Sequence, residues 1–266
     1  MKYRIFVLFV VILMYEFSCS PSQPQLAVKK IVFAEELLAS GDTASSLLHL
    51  DSIPLLYPVA YTEVRNALQI SNRIYISKLM KQRENLASII LIIDSLIKEF
   101  NPQKGEFDRY TCYINKLNSG DMTWSRSFVQ AYLNEKGELS LVSNYYGSQW
   151  LNHTYLKVEC DGAVVETDSV PHDHVDNFHS EFNGSKWEKV TYRGTLADAV
   201  IGLITTNYDK KLKCFFQGKA SYPILLEESD KKAIMAACNM ATTLKTKTAL
   251  EKNISLLEKK IKSEEQ

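Results

Sequence analysis

Between residues 61 and 100 the apolar positions recur at alternating spacings of four and three. Leu68, Tyr75, Gln82, Ile89 and Leu96 occupy one seam position, and Asn72, Leu79, Leu86, Ile93 and Phe100 the other. This is the spacing of a helix lying along a partner helix. No Gly or Pro interrupts the stretch, so it predicts one rod of about 60 Å at 1.5 Å rise per residue. Leu250, Ile254, Leu257 and Ile261 form a second seam in a tail that is also free of Gly and Pro. One rod enters the intervening block and the other leaves it, so they can lie side by side only if antiparallel. The pattern therefore predicts a coiled-coil stalk, residues 59–100 against 229–263, with Ser229 or Asp230 capping the last helix. Asn72 and Gln82 place polar groups on the seam, which costs stability but fixes register. The run Ile89, Ile90, Leu91, Ile92, Ile93 is apolar all round and predicts cover on more than one side.

After the turn chemistry of Asn101-Pro102-Gln103-Lys104-Gly105 the period changes from near 3.5 to two. Strands are expected at 128–133, 138–146, 154–159, 164–167, 187–193, 199–205, 212–217 and 222–226. Asn134-Glu135-Lys136-Gly137 and Asp161-Gly162 supply hairpin turns. Short strands at this spacing predict an antiparallel β-sandwich or barrel head over residues 108–228. The fold class is therefore α+β, with the β head inserted between the two stalk helices.

Residues 26–58 read as a helical hairpin. Ala34, Leu37 and Leu38 share one face of the first helix, and Leu47, Leu50 and Ile53 one face of the second. Gly41 suits a left-handed C-cap, and Asp42 or Thr43 an N-cap. Ala34, Gly41, Leu50, Ile53 and Pro58 stand at the spacing of a single tetratricopeptide repeat, which this segment resembles; Ser46 occupies a place where that family prefers Ala. There is no second copy, and a solenoid needs about three.

The first residues change the picture from fold to location. Lys2 and Arg4 precede an apolar run from Ile5 to Tyr15, followed by Glu16-Phe17-Ser18-Cys19. The run is shorter than the about 20 residues a membrane span needs and suits a signal peptide. A small residue before Cys19 resembles the lipobox of bacterial lipoproteins, with Glu16 standing where that family usually has Leu. The resemblance implies removal of residues 1–18, acylation of Cys19 and a tether over residues 19–25. That tether carries no acidic cluster, which within this resemblance implies the outer membrane, facing the periplasm. The chain also resembles the uncharacterised coiled-coil lipoproteins of Gram-negative envelopes.

Charge and composition mostly exclude. Thirty-one basic side chains balance 31 acidic ones, so there is no basic surplus to hold phosphates, and nucleic acid is not an expected partner. Besides Cys19, the cysteines are Cys112, Cys160, Cys214 and Cys238; export permits disulfides, and spacing does not choose a connectivity. Neither a Gly-x-Ser-x-Gly elbow nor a phosphate-cradling Gly loop is present.

Two clusters carry candidate chemistry. Residues 171–179 gather His172, Asp173, His174 and His179, the side-chain types that bind zinc, in a loop whose spacing matches no metal motif. Tyr145, Tyr146 and Trp150, beside Asn144, Asn152 and His153, are the kind of aromatic-and-amide set that stacks on sugars. Asn183-Gly184-Ser185 fits the N-glycan acceptor pattern, which means little in a bacterial export context. The expectation is a non-enzymatic envelope protein without a cofactor, anchored by lipid, scaffolding protein partners through its stalk and head. A glycan-binding head is the alternative, and a metal-binding loop a third reading.

Overall fold

The computed structural model describes residues 21–106, 109–118 and 125–264. The signal-peptide segment and Cys19 lie outside the described residues. The protein is α+β, and it divides into two compact units, residues 1–83 with 253–266, and residues 84–252. Among the described residues no helix is long and apolar enough to cross a membrane.

In the first unit, α1 (Gln23–Ala39) and α2 (Thr43–Leu56) form the expected hairpin. Gly41 takes φ +90° between them, and the Asp42 carboxylate caps α2 by accepting from the Ser45 N–H at 3.0 Å. Ala27, Ile31 and Ala34 of α1 meet Leu47, Leu50 and Ile53 of α2, and Ala67, Ile70, Ile74 and Tyr75 of α3 (Tyr61–Leu96). Leu257 and Ile261, at the end of α5 (Glu228–Glu264), pack on this core. Lys260 lies over the Tyr75 ring, while Glu258 pairs with Arg83 at 2.7 Å. Moving up α3 therefore means moving down α5, so the two helices run antiparallel here. Every expected seam position within α3 is buried or half-buried, as are Leu250, Ile254, Leu257 and Ile261 of α5; Phe100, also buried, lies past the helix end at Leu96. The cover expected around residues 89–93 is partial: Ile93 packs against the β core, while Ile90, Leu91 and Ile92 are exposed. Only Ile89 and Ile93, which hold the seam, are shielded. One face sufficed, and the rest of the run is apolar surface.

The second unit holds two open antiparallel sheets. The six-stranded sheet has the order β1 (Phe100–Gln103), β2 (Cys112–Asn115), β3 (Phe128–Asn134), β4 (Leu139–Gly147), β8 (Ser185–Arg193), β7 (Asn177–Phe182). The four-stranded sheet has the order β10 (Ser221–Leu225), β9 (Lys213–Gln217), β5 (Tyr155–Cys160), β6 (Ala163–Glu166). Val129, Ala131, Leu133, Leu141, Val190 and Tyr192 of the first sheet share one core with Leu156, Val158, Cys214 and Phe216 of the second. The arrangement is a sandwich rather than a closed barrel. Pro102 and Pro223 both sit on edge strands, where the missing N–H is tolerated. Gly137, at φ +79°, turns β3 into β4 so close to α5 that a Cβ would stand 2.8 Å from the Ala241 carbonyl oxygen.

Three expectations change here. Residues 199–205 are not a strand but belong to a helix, α4 (Asp198–Thr206). Its β-branched residues suggested β structure, yet Val200, Ile201 and Ile204 recur at helical spacing and are buried together. The last helix starts at Glu228, ahead of the expected cap, leaving Asp230 inside its first turn. Strands β1, β2 and β7 were not expected; β7 and β8 are joined by Asn183-Gly184, both at positive φ, a turn suited to a two-residue hairpin.

Candidate functional site

The residues singled out from sequence do not assemble as sets. His172, Asp173 and His174 lie exposed in the loop before β7, whereas His179 is on β7 and half-buried. The His172 and His179 rings approach to 3.9 Å, but His174 turns away and accepts the Asp176 N–H at 3.1 Å. Among the described residues no group of three or more His, Cys, Asp or Glu could hold a metal ion. The four described cysteines are free thiols.

Strand alternation separates the three aromatics. Tyr145 points into the core, and its hydroxyl donates to the Gln149 carbonyl at 2.9 Å. Burial, with Glu188 nearby, pushes its phenol up from the ordinary value. That hydroxyl lies where a side chain at Gly147 would stand, so the strand must end on glycine. Tyr146 points to the opposite face, 6.0 Å from the Trp187 ring. Trp150 packs edge-on against His179 at 5.6 Å, under the Lys186 ammonium.

Two polar constellations instead lie back to back on β4 and β8. On the inner face, Ser143 and Glu188 belong to the same alternation as Leu141, Tyr145, Val190 and Tyr192. A buried carboxylate must be hydrogen-bonded to persist in its charged form. Glu188, 1% exposed, accepts the backbone N–H groups of Leu151 (2.6 Å), Asn152 (2.7 Å) and His153 (2.9 Å), and meets His153 Nδ1 at 2.7 Å. A carboxylate only accepts, so Nδ1 is the donor; in the neutral ring Nε2 then accepts the Ser143 hydroxyl at 2.7 Å. Burial pushes the Glu188 carboxyl up, but the hydrogen bonds from the His153 ring and from the backbone of His153 and Asn152 outweigh it, and the net shift is downward. The order Ser143–His153–Glu188 is that of an acyl-transfer triad. A reacting carbon would have to come within about 3 Å of Ser143 Oγ. Ser143 and His153 are completely buried, and neither borders the cleft on the other face. The network instead fastens the 151–153 loop to the sheet. Asn152 is held at φ +50°, and Asn177 Nδ2 donates to the His153 and Val170 carbonyls, each at 3.1 Å.

On the outer face the same strands floor a cleft of about 320 Å³. The register aligns Phe128, Asn144, Lys189 and Phe178 in one row across β3, β4, β8 and β7. Gln130 and Tyr132 extend the floor to one side of the row, and Tyr146 and Trp187 to the other. Glu188 borders this cleft, but its carboxylate serves the inner network. Arg126 closes one end, bound through both guanidinium nitrogens to the buried Asp230 carboxylate at 2.8 and 3.0 Å. The Asp230 hydrogen bond raises the Arg126 pKa; burial raises that of Asp230 against the pull of Arg126.

Two amide atoms in this cleft are left over. Asn118, 3% exposed, donates through Nδ2 to the Val129 carbonyl, and its Oδ1 has no partner among the described residues. Asn144 Nδ2 is likewise buried and unpartnered. Lys189 Nζ donates to the Tyr132 hydroxyl at 2.9 Å and has no carboxylate within ion-pair distance among the described residues. A buried donor and acceptor without partners cost free energy that a ligand can recover. Of the residues named from sequence, Tyr145, Tyr146 and Asn144 border the cleft; Lys189, Trp187 and Asn118 carried no signal until the strands were paired. Family models, curated proteins and solved structures, each compared with this chain, return no match.

Proposed function

We propose that the protein is a non-enzymatic, lipid-anchored binding protein of the bacterial envelope, whose β unit takes a saccharide into the outer-face cleft. The observation that carries this reading is the combination of aromatic rings with a buried donor and acceptor that no described residue satisfies. Rings stack on the C–H faces of sugars, and convergent amides fix the hydroxyls. The anchor rests on the apolar run and Ser18-Cys19 alone; mass spectrometry of the mature N-terminus tests it, an unmodified Cys19 counting against it. Binding is tested by probing arrays of cell-wall and surface glycans with the purified protein and with Trp187→Ala. Retention of one glycan class by the parent protein and its loss in the variant are expected. Silence with both removes the proposal.

Scaffolding through the helices is a second reading, favoured by one observation. Ile76 and Met80 on α3 are exposed in the first unit, and Leu91, 70% exposed, in the second. Crosslinking in the envelope should then capture a partner that charged substitutions at these positions release.

A further inference from the structure

We infer that the saccharide is an acidic one, its carboxylate received by Lys189 and Asn144 in the floor of the cleft; this rests on the binding reading above. The two side chains are register partners on β8 and β4, facing the same way. Lys189 spends one ammonium proton on the Tyr132 hydroxyl, and its register partner Asn144 carries an Nδ2 with no partner among the described residues. Adjacent donors, one of them charged, match the two oxygens of a carboxylate. A neutral hydroxyl would leave the ammonium without a counter-charge.

The other cation of the cleft is not available for this role. Arg126 is already held by Asp230 and lies 3.4 Å from Glu227. Asn118 Oδ1, the unpartnered acceptor, suits a ring hydroxyl instead. Phe128 and Phe178 flank Lys189 and Asn144 along the row; the Arg126 guanidinium lies over the Phe128 ring, and Phe178, exposed, is the ring left to stack on a sugar. The site therefore reads as one charged contact, one hydroxyl contact and a stacked ring, which describes a uronic or muramic acid unit better than a neutral hexose.

The test is calorimetric titration of the full chain with three acidic probes: oligogalacturonate, a glucuronate-containing hyaluronan fragment and a muramic-acid disaccharide. Each is paired with its methyl ester, which keeps the rings and removes the charge. At least one acid should bind at least about tenfold more tightly than its ester. Lys189→Met should abolish that preference and Lys189→Arg should keep it. Asn144→Asp, which sets a like charge against the ligand, should weaken the acid more than the ester. Thermal melts confirm that each variant is folded. Equal binding of acid and ester, or a preference that survives Lys189→Met, overturns the inference while leaving saccharide binding intact. No binding by any acid or ester overturns both.

Discussion

Glu188 and Lys189 are neighbours in sequence and opposites in circumstance. The carboxylate of Glu188 lies on the inner face, with donors from Leu151, Asn152 and His153 around it. The ammonium of Lys189 lies on the outer face over the Tyr132 ring, donating to its hydroxyl, opposite an amide nitrogen with no partner among the described residues. A single strand thus divides polar chemistry by parity. Glu188, facing the core, is saturated and works as structure, although Asn177 Oδ1 and His179 Nε2 on the same face of β7 have no partner among the described residues; Lys189 and Asn144, facing the cleft, are left open and are suited to a ligand. The triad-like order at Ser143, His153 and Glu188 shows how misleading side-chain identity is without access: the constellation with the more familiar chemistry is the one no substrate reaches.

The contrast can be broken hardest on the inner face. Glu188→Ala strands three backbone N–H groups and His153, and should cost at least about 3 kcal/mol in urea denaturation. Asn144→Ala, on the outer face, should cost under about 1 kcal/mol, since it removes a group already unpaired. Similar losses at both positions would erase the distinction.

Acid should act on the inner side as well. Burial, helped by the charge of His172, lowers the His179 pKa from its ordinary 6.5 despite the pull of Glu188. The unfolded chain therefore takes up that proton first, and stability should begin to fall as pH drops below about 6.5. Glu188 is also lowered, from an ordinary 4.5. Its contribution is fully present above that value and is lost as pH falls further. Melting curves from pH 8 to pH 3 should show both stages, with Glu188→Gln removing the lower and His179→Asn the upper.

Smaller effects sharpen the outer face. Trp187→Ala should lower saccharide affinity by about 1–2 kcal/mol while moving stability less. Smallest of all, and in the other unit, Gln82→Leu should raise stability by up to about 1 kcal/mol, because Gln82 Oε1 is buried on the α3 seam without a partner among the described residues.

The helices were largely legible because their signals are local. Leu68 to Leu96 at alternating spacings marked the shielded face of α3, and Gly41 with Asp42 marked the α1–α2 turn. Residues 199–205 misled because the burial of Val200, Ile201 and Ile204 on one helix face overrode β propensity. The β7–β8 hairpin could have been found from Asn183-Gly184, whose turn chemistry was plain but whose flanking run, broken by Ser180 and Glu181, hardly alternates. The cleft could not be read in this way. Phe128, Asn144, Phe178 and Lys189 come from four strands, and their row exists only through pairing register. Ser143, His153 and Glu188 are likewise joined across separations of 10 and 35 residues.

The central claim is that the open polar groups of the outer face form the binding site. Its most direct measurement is an NMR titration of the isotopically labelled full chain with the tightest-binding acidic saccharide. Shifts should concentrate at Phe128, Asn144, Phe178, Trp187 and Lys189, with the side-chain amides of Asn118 and Asn144 among the largest, while His153 and Ser143 stay still. Shifts centred on the inner network or on the helical unit, with the outer-face row unmoved, would contradict it.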